Sequence, residues 1–288
     1  MQLSTSLNRQ ITNILHLTDM KNKRLEIVDN AAALAQRGAE IFRDTAIASI
    51  SKHGRFSVAL SGGSTPRGMN RLLAAEPYIS TIPWEKVDIF WVDERIISYT
   101  NPDSNFGTAK KDFIDKIPIP HENVHPMPVD ISTEKGAKQY ERDLKEYFKK
   151  IGKEEPSFDL IILGVGEDGH TASIFPNANI DQDDKRWVIG AEGGTPPLPR
   201  LTMTYEILNR SSETIFLASG ETKGEILKKI LEENLLMYPA ERIKTKRGEP
   251  LWVVYGGKET SRKFSKLRGI AAVKMTTDNI MSLTRKNI

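Results

Sequence analysis

Apolar and polar positions along this chain follow two alternating rhythms. Short continuous apolar runs at residues 56–60 (FSVAL), 87–92 (VDIFWV), 158–165 (FDLIILGV), 214–218 (TIFLA) and 251–255 (LWVVY) have the length and composition of strands buried on both faces. A shorter run at 187–191 reads as one more strand. Between the runs, helical periodicity predicts helices over 27–50, about 66–75, 106–114, 133–151 and 223 to about 233. A polar connection carrying Pro118, Pro120, Pro126 and Pro128 separates the third of these helices from the fourth. Such strand–helix alternation predicts an α/β fold, a three-layer, doubly wound, mostly parallel sheet. No linker-like stretch and no internal repeat divides it. Residues 26–255 therefore read as one domain, with an extension at 1–25 and a tail at 256–288.

Composition narrows the class without naming a chemistry. The 288 residues suffice to bury a sizeable core. No run approaches the roughly 18 apolar residues of a membrane span. Asn13, His16 and Asp19 interrupt the weakly apolar N-terminal run where a signal peptide would keep its core. There is no cysteine, which excludes disulfides, thiolate nucleophiles and cysteine-ligated metal, and a cytoplasmic protein is the expectation. The formal charge of +3 is unevenly placed: residues 1–24 carry +3, residues 256–288 carry +6, and the stretch between carries −6. No nucleic-acid-binding motif accompanies the basic ends, so a solvated tail is expected rather than a nucleic-acid contact. Nothing in the pattern specifies an oligomeric state.

The candidate chemistry sits where apolar runs end. Ser61-Gly62-Gly63-Ser64-Thr65-Pro66 follows a buried strand and opens a helix, so free N–H groups and the helix dipole can meet an anion there. Ser64 or Thr65 can cap that helix, and Pro66 suits its first turn. The lysine and spacing of a Walker loop are absent, which points to a single phosphate rather than a nucleoside triphosphate. Trp91-Val92-Asp93-Glu94-Arg95 places three charges just past a second strand. Arg95 suits a carboxylate or oxyanion, with Asp93 to order it, and Ser104-Asn105-Phe106-Gly107 supplies short polar groups for a loop over a polyol. The third strand ends in Gly164-Val165-Gly166-Glu167-Asp168-Gly169-His170, where a carboxylate two residues from a histidine offers proton transfer. Its glycines also match G-x-G-x-x-G, but Glu167 and Asp168 would repel a pyrophosphate and Pro176 cuts the following helix short. His16, His53, His121 and His125 form no metal-binding constellation. Arg200 and Lys223 each put one cation near an element boundary, Lys223 at a helix start that favours phosphate.

Taken together, these segments resemble the 6-phosphogluconolactonase family. ALSGGSTP at 59–66, WVDER at 91–95 with SNFG at 104–107, FDLIILGVGEDGHTASIFP at 158–176, PRLTMTYEILN at 199–209 and SGETKGEIL at 219–227 match it in order and spacing. The resemblance implies the sheet of sugar-phosphate isomerases and deaminases. It also implies hydrolysis of 6-phosphoglucono-δ-lactone to 6-phosphogluconate in the oxidative pentose phosphate pathway, without cofactor or metal. Carried over, His170 is the general base held near Asp168, Arg95 orients substrate or stabilises the oxyanion, and Gly62, Gly63, Ser64, Thr65, Arg200 and Lys223 hold the phosphate. Two alternatives differ in class. A glucosamine-6-phosphate deaminase shares the Asp-Gly-His turn but reads F-N-E-P after it, its glutamate acting in ring opening, with a tyrosine in place of Arg95. Here Ser173-Ile174-Phe175-Pro176 stands instead. A catalytically silent sugar-phosphate sensor would carry a helix-turn-helix, and residues 1–55 show no clear one. The chain departs from the family after Val254, where an aspartate and an alanine-rich finish give way to Tyr255-Gly256-Gly257 and the basic tail.

Overall fold

Strands and helices are laid out in the computed structural model over residues 23–255, apart from 154, 177, 179, 181–183, 195, 196, 234 and 235. Seven strands form one sheet in the order β1 (Arg24–Val28), β10 (Leu251–Tyr255), β9 (Thr214–Ser219), β6 (Leu160–Leu163), β2 (Phe56–Leu60), β3 (Val87–Trp91) and β5 (Val124–His125). Every neighbouring pair is parallel. The central strands are buried along their whole length, which explains their mostly apolar runs. Phe216 and Trp252 are register partners on β9 and β10, and their rings stack at 3.9 Å. Complete burial of side chains this large contributes on the order of 1.5–3 kcal/mol each.

Among the described residues, the helices of eight residues or more are α1 (Ala31–His53), α2 (Ser64–Leu73), α3 (Asn105–Asp112), α4 (Thr133–Lys150) and α5 (Gly220–Lys228). The expected helix at 27–50 is shorter at its start than its periodicity suggested. Residues 24–28 are instead an edge strand, half-buried throughout, and Asn30 caps α1 by accepting the Ala33 N–H at 2.8 Å. Leu25 and Ile27 lie at a spacing that five residues cannot assign to strand or helix. The domain boundary placed after residue 25 thus falls inside β1. The calls on residues 1–22 and 256–288, the basic tail among them, lie outside the described residues.

A second correction concerns the strand expected at 187–191. It is β7 (Val188–Gly193), and it belongs to a separate antiparallel sheet in the order β4 (Asp93–Arg95), β8 (Leu198–Met203), β7. Pro199 and Arg200 broke the apolar pattern of β8, and three residues are too few to show β4. The chain leaves the main sheet at Val92, whose N–H still bonds Leu60 and whose carbonyl accepts from Met203 of the small sheet at 2.8 Å.

Two histidines are built into this scaffold. At the amino end of β6, Asp159 accepts from the Ser57 N–H (2.8 Å) and hydroxyl (2.9 Å) and faces His53 at 3.0 Å. His125 stacks on Phe90 at 4.2 Å. Among the described residues, no helix is long and apolar enough to cross a membrane.

Candidate active site

Strand order reverses between β2 and β6, since later strands are added outward on both sides of this pair. Side chains and loops at the carboxyl ends of such strands surround a crevice. A cavity of about 160 Å³ lies there, bounded by the loop after β2, the turn after β6, the start of α5 and the small sheet. Gly62, Gly63, Ser64, Thr65, Asp93, Arg95, His170, Arg200 and Lys223 all line it, although they come from five separate segments. Asp168 stands behind His170 and opens onto an adjoining groove.

The glycine loop enters α2 at Ser64, two residues before the expected start near Pro66. Gly63, at φ +98°, is the N-cap, and neither Ser64 nor Thr65 caps the helix with its side chain. Only glycine takes that backbone conformation without strain. Ser64 and Thr65 are therefore the first helical residues, and their N–H groups belong to the helix's unpaired first turn, beside the cavity.

The turn after β6 holds a hydrogen-bonded pair. His170 Nδ1 lies 2.6 Å from Asp168 Oδ1, which also accepts the His170 backbone N–H at 3.1 Å. An ionised carboxylate only accepts, so Nδ1 carries the proton and Nε2 is left as the ring's acceptor. The ring rests on Phe175 at 4.6 Å. The glycine spacing that mimicked a dinucleotide loop has a packing cause, because a side chain at Gly166 would place Cβ 2.1 Å from His170 Nδ1.

Arg95 and Arg200 are register partners on antiparallel strands, so their like charges stand side by side. Cross-strand pairs of one sign are unfavourable unless an anion joins them. Burial, followed by the charge of Arg95, holds the Arg200 guanidinium below its ordinary range. Arg200 donates Nε to the Gly193 carbonyl at 3.1 Å and lies 3.8 Å from Asp93. Burial likewise lowers the Lys223 ammonium, with the Glu167 carboxylate acting in the opposite direction.

Asp93 has a different partner from the one expected. Its carboxylate accepts from the Ser173 hydroxyl at 2.6 Å and from Asn105 Nδ2 at 3.1 Å. The Arg95 guanidinium is instead held by the Asp103 carbonyl. SNFG opens α3 rather than a loop: Ser104 is the N-cap, accepting the Gly107 N–H at 2.9 Å. Asn105 of that segment stands in the cavity wall. The sequence alone does not mark Asn105 and Ser173 as site residues, because only the fold brings residues so far apart in sequence onto one aspartate.

Residues 29–252 match the family described as glucosamine-6-phosphate isomerases/6-phosphogluconolactonase. The chain belongs to this family. A 6-phosphogluconolactonase of Nostoc sp. is 35% identical over 81% of this chain and 95% of its own length. One from Haemophilus influenzae is 36% identical over 68% of this chain and 82% of its own. The solved 6-phosphogluconolactonase of Thermotoga maritima, 27% identical, superposes with a TM-score of 0.70 over 81% of this chain and 99% of its own. A monomeric glucosamine-6-phosphate deaminase superposes with a TM-score of 0.67 at 21% identity, which establishes a shared fold alone. The family therefore spans both activities, and the cavity's side chains have to separate them.

Proposed function

We propose that this chain hydrolyses 6-phosphoglucono-δ-lactone to 6-phosphogluconate. The observation that carries the reading is a histidine, hydrogen-bonded to an aspartate, beside a cavity that gathers Arg95, Arg200 and Lys223. The only carboxylate among the described residues lining that cavity is Asp93, already engaged by Ser173 and Asn105. An aldose–ketose deaminase of this family would need a further carboxylate for ring opening, and Ser173 and Ile174 stand in that stretch instead.

A lactone is an activated ester, so a base and a fixed positive charge suffice. His170 Nε2 takes a proton from water as its oxygen attacks the lactone carbonyl carbon. Arg95 faces the oxyanion, a preorganised charge of the kind that supplies the largest catalytic contribution. Collapse of the tetrahedral intermediate breaks the ring C–O bond, and the leaving alkoxide takes the proton back from His170. The 6-phosphate lies on the N–H groups of Gly62–Thr65, with Arg200 and Lys223 as counter-charges. A cytoplasmic setting accompanies this reading, on the cysteine-free composition.

The test is a coupled assay on purified protein, comparing fresh 6-phosphogluconolactone with glucosamine-6-phosphate. Lactone opening well above the spontaneous rate, without ammonia release from the amino sugar, is expected. No acceleration of lactone opening would overturn the assignment.

A further inference from the structure

The residue between Asp93 and Arg95 is fully buried, and among the described residues its carboxylate has no salt-bridge partner. Glu94 is 0% exposed, and burial pushes its carboxyl upward while four donors act against that shift. Oε1 accepts the N–H of Arg95 at 2.8 Å and of Asn105 at 2.9 Å. Oε2 accepts the N–H of Phe106 at 2.8 Å and the Ser104 hydroxyl at 2.9 Å. One carboxylate therefore ties the small sheet's edge strand to the first turn of α3. That tie sets two features of the cavity lining, the placement of Arg95 and of Asn105. Asp103, immediately before the clasped residues, supplies the carbonyl that holds the Arg95 guanidinium. Asn105, inside the clasp, abuts the glycine loop so closely that a Cβ at Gly62 would lie 1.8 Å from its Oδ1.

We propose that Glu94 is a positioning residue for the reaction: its buried carboxylate clasps Ser104–Asn105–Phe106 and thereby aims Arg95 at the reacting carbonyl. The proposal rests on the lactonase reading for its kinetic consequences and on geometry alone for its effect on Arg95. The chemistry requires an acceptor on both sides. Glutamine has the same shape, but either orientation of its amide turns an NH₂ toward at least one backbone N–H. A buried donor facing a donor is costly, so the clasp opens. Glu94 makes no hydrogen bond to the α2 N-terminus, Arg200 or Lys223, so the expected effect falls mainly on kcat and less on KM.

The experiment is a double-mutant cycle of Glu94→Gln and Arg95→Ala, with thermal unfolding as a control and an NMR arm. Glu94→Gln should lower kcat by about 30-fold with KM within about threefold. Arg95→Ala should lower kcat by roughly 10²–10³-fold, as for loss of one oxyanion donor. The double variant should be no worse than Arg95→Ala alone within about threefold, because the clasp acts through the group already removed. Losses that multiply, or a Glu94→Gln variant with normal kcat, would overturn the proposal. Should Glu94→Gln fail to fold, Ser104→Ala removes one donor of the four and is carried through the same cycle. The NMR arm follows the buried Arg95 Nε–H, identified as the peak missing in Arg95→Ala. Its broadening in Glu94→Gln is expected even if the lactone proves not to be the substrate, an outcome that would sink the lactonase reading and leave the clasp standing. An unchanged peak sinks the clasp.

Discussion

Gly62→Ala is the substitution whose cost the geometry defines most closely. Gly62 has no left-handed backbone, so the added methyl is not a question of strain in φ. It is a question of space. The new Cβ would lie 1.8 Å from Asn105 Oδ1, 2.2 Å from its Cγ and 2.9 Å from its Cβ. Bringing the closest contact to 3.0 Å requires a separation of about 1.2 Å between the loop and the amide. Asn105 is 5% exposed and donates Nδ2 to the Asp93 carbonyl at 2.8 Å and to its carboxylate at 3.1 Å. A displacement of that size exceeds the slack of such bonds, which fade beyond about 3.2 Å. Overpacking costs about 1–3 kcal/mol. The two weakened hydrogen bonds cost a further 1–3 kcal/mol or so together. The expected destabilisation is therefore about 2–6 kcal/mol, read as a Tm lower by roughly 4–24 °C in a domain of this size. Catalytic efficiency should fall as well, since loop and amide both line the cavity. Asn105→Ala in the same chain should return part of the lost stability, because it removes the atoms in collision. A Gly62→Ala protein with wild-type Tm and activity would refute the close approach, and additive losses in the double variant would refute its cause.

Other outcomes follow from the same cavity. His170→Ala should lower kcat by roughly 10²–10⁴-fold with little change in Tm, and a near-normal kcat would reduce it to a turn residue. Asp168→Asn should also lower kcat, since an amide at 2.6 Å no longer enforces a proton on Nδ1; kinetics indistinguishable from wild type would remove Asp168 from the machinery. Lys223→Ala should raise KM more than it lowers kcat, because a phosphate anchor binds ground and transition states alike. Burial lowers the free-state Lys223 pKa and a bound phosphate dianion favours the charged form, so the Lys223 contribution to product affinity should be full below that lowered value. It should weaken as pH rises through that lowered value. Calorimetry with 6-phosphogluconate from about pH 7 to about pH 10 should record the loss in wild type and not in Lys223→Ala.

The sequence made the main sheet readable where strands are buried on both faces, because β6 is apolar throughout and β2 carries a single polar residue, Ser57. It also located the three loops that deliver Gly62, Arg95 and His170, since each interrupts an apolar run abruptly. Of the small sheet it showed β7 and was silent on the other two strands. β4 is three residues of charge, and β8 carries a proline and an arginine, so neither shows a strand's periodicity. That silence is why Arg200 read as a lone boundary cation when it is the register partner of Arg95. It is also why Asp93 is expected to order Arg95: the two share one face of β4, but Ser173 and Asn105, distant in sequence, take the Asp93 carboxylate, and the Asp103 carbonyl takes Arg95. Glu94 was visible only as a charge beside other charges. Its burial depends on α3 closing over it, a contact that no local pattern records.

Strand β10 sits between β1 and β9, with Arg24 opposite Leu251 and Leu251 opposite Ile215. The earliest described strand of the chain therefore waits for the last before it can pair. During synthesis at roughly 5–20 residues per second, β1 has no neighbour and β9 has an open edge until residue 255 has emerged. Such unpaired edges are templates for association with other chains. A chain cut short before β10 would keep every residue proposed for catalysis, from Gly62 to Lys223, yet strand both flanks of this half of the sheet. Its failure would appear as aggregation of newly made protein rather than as a slow enzyme.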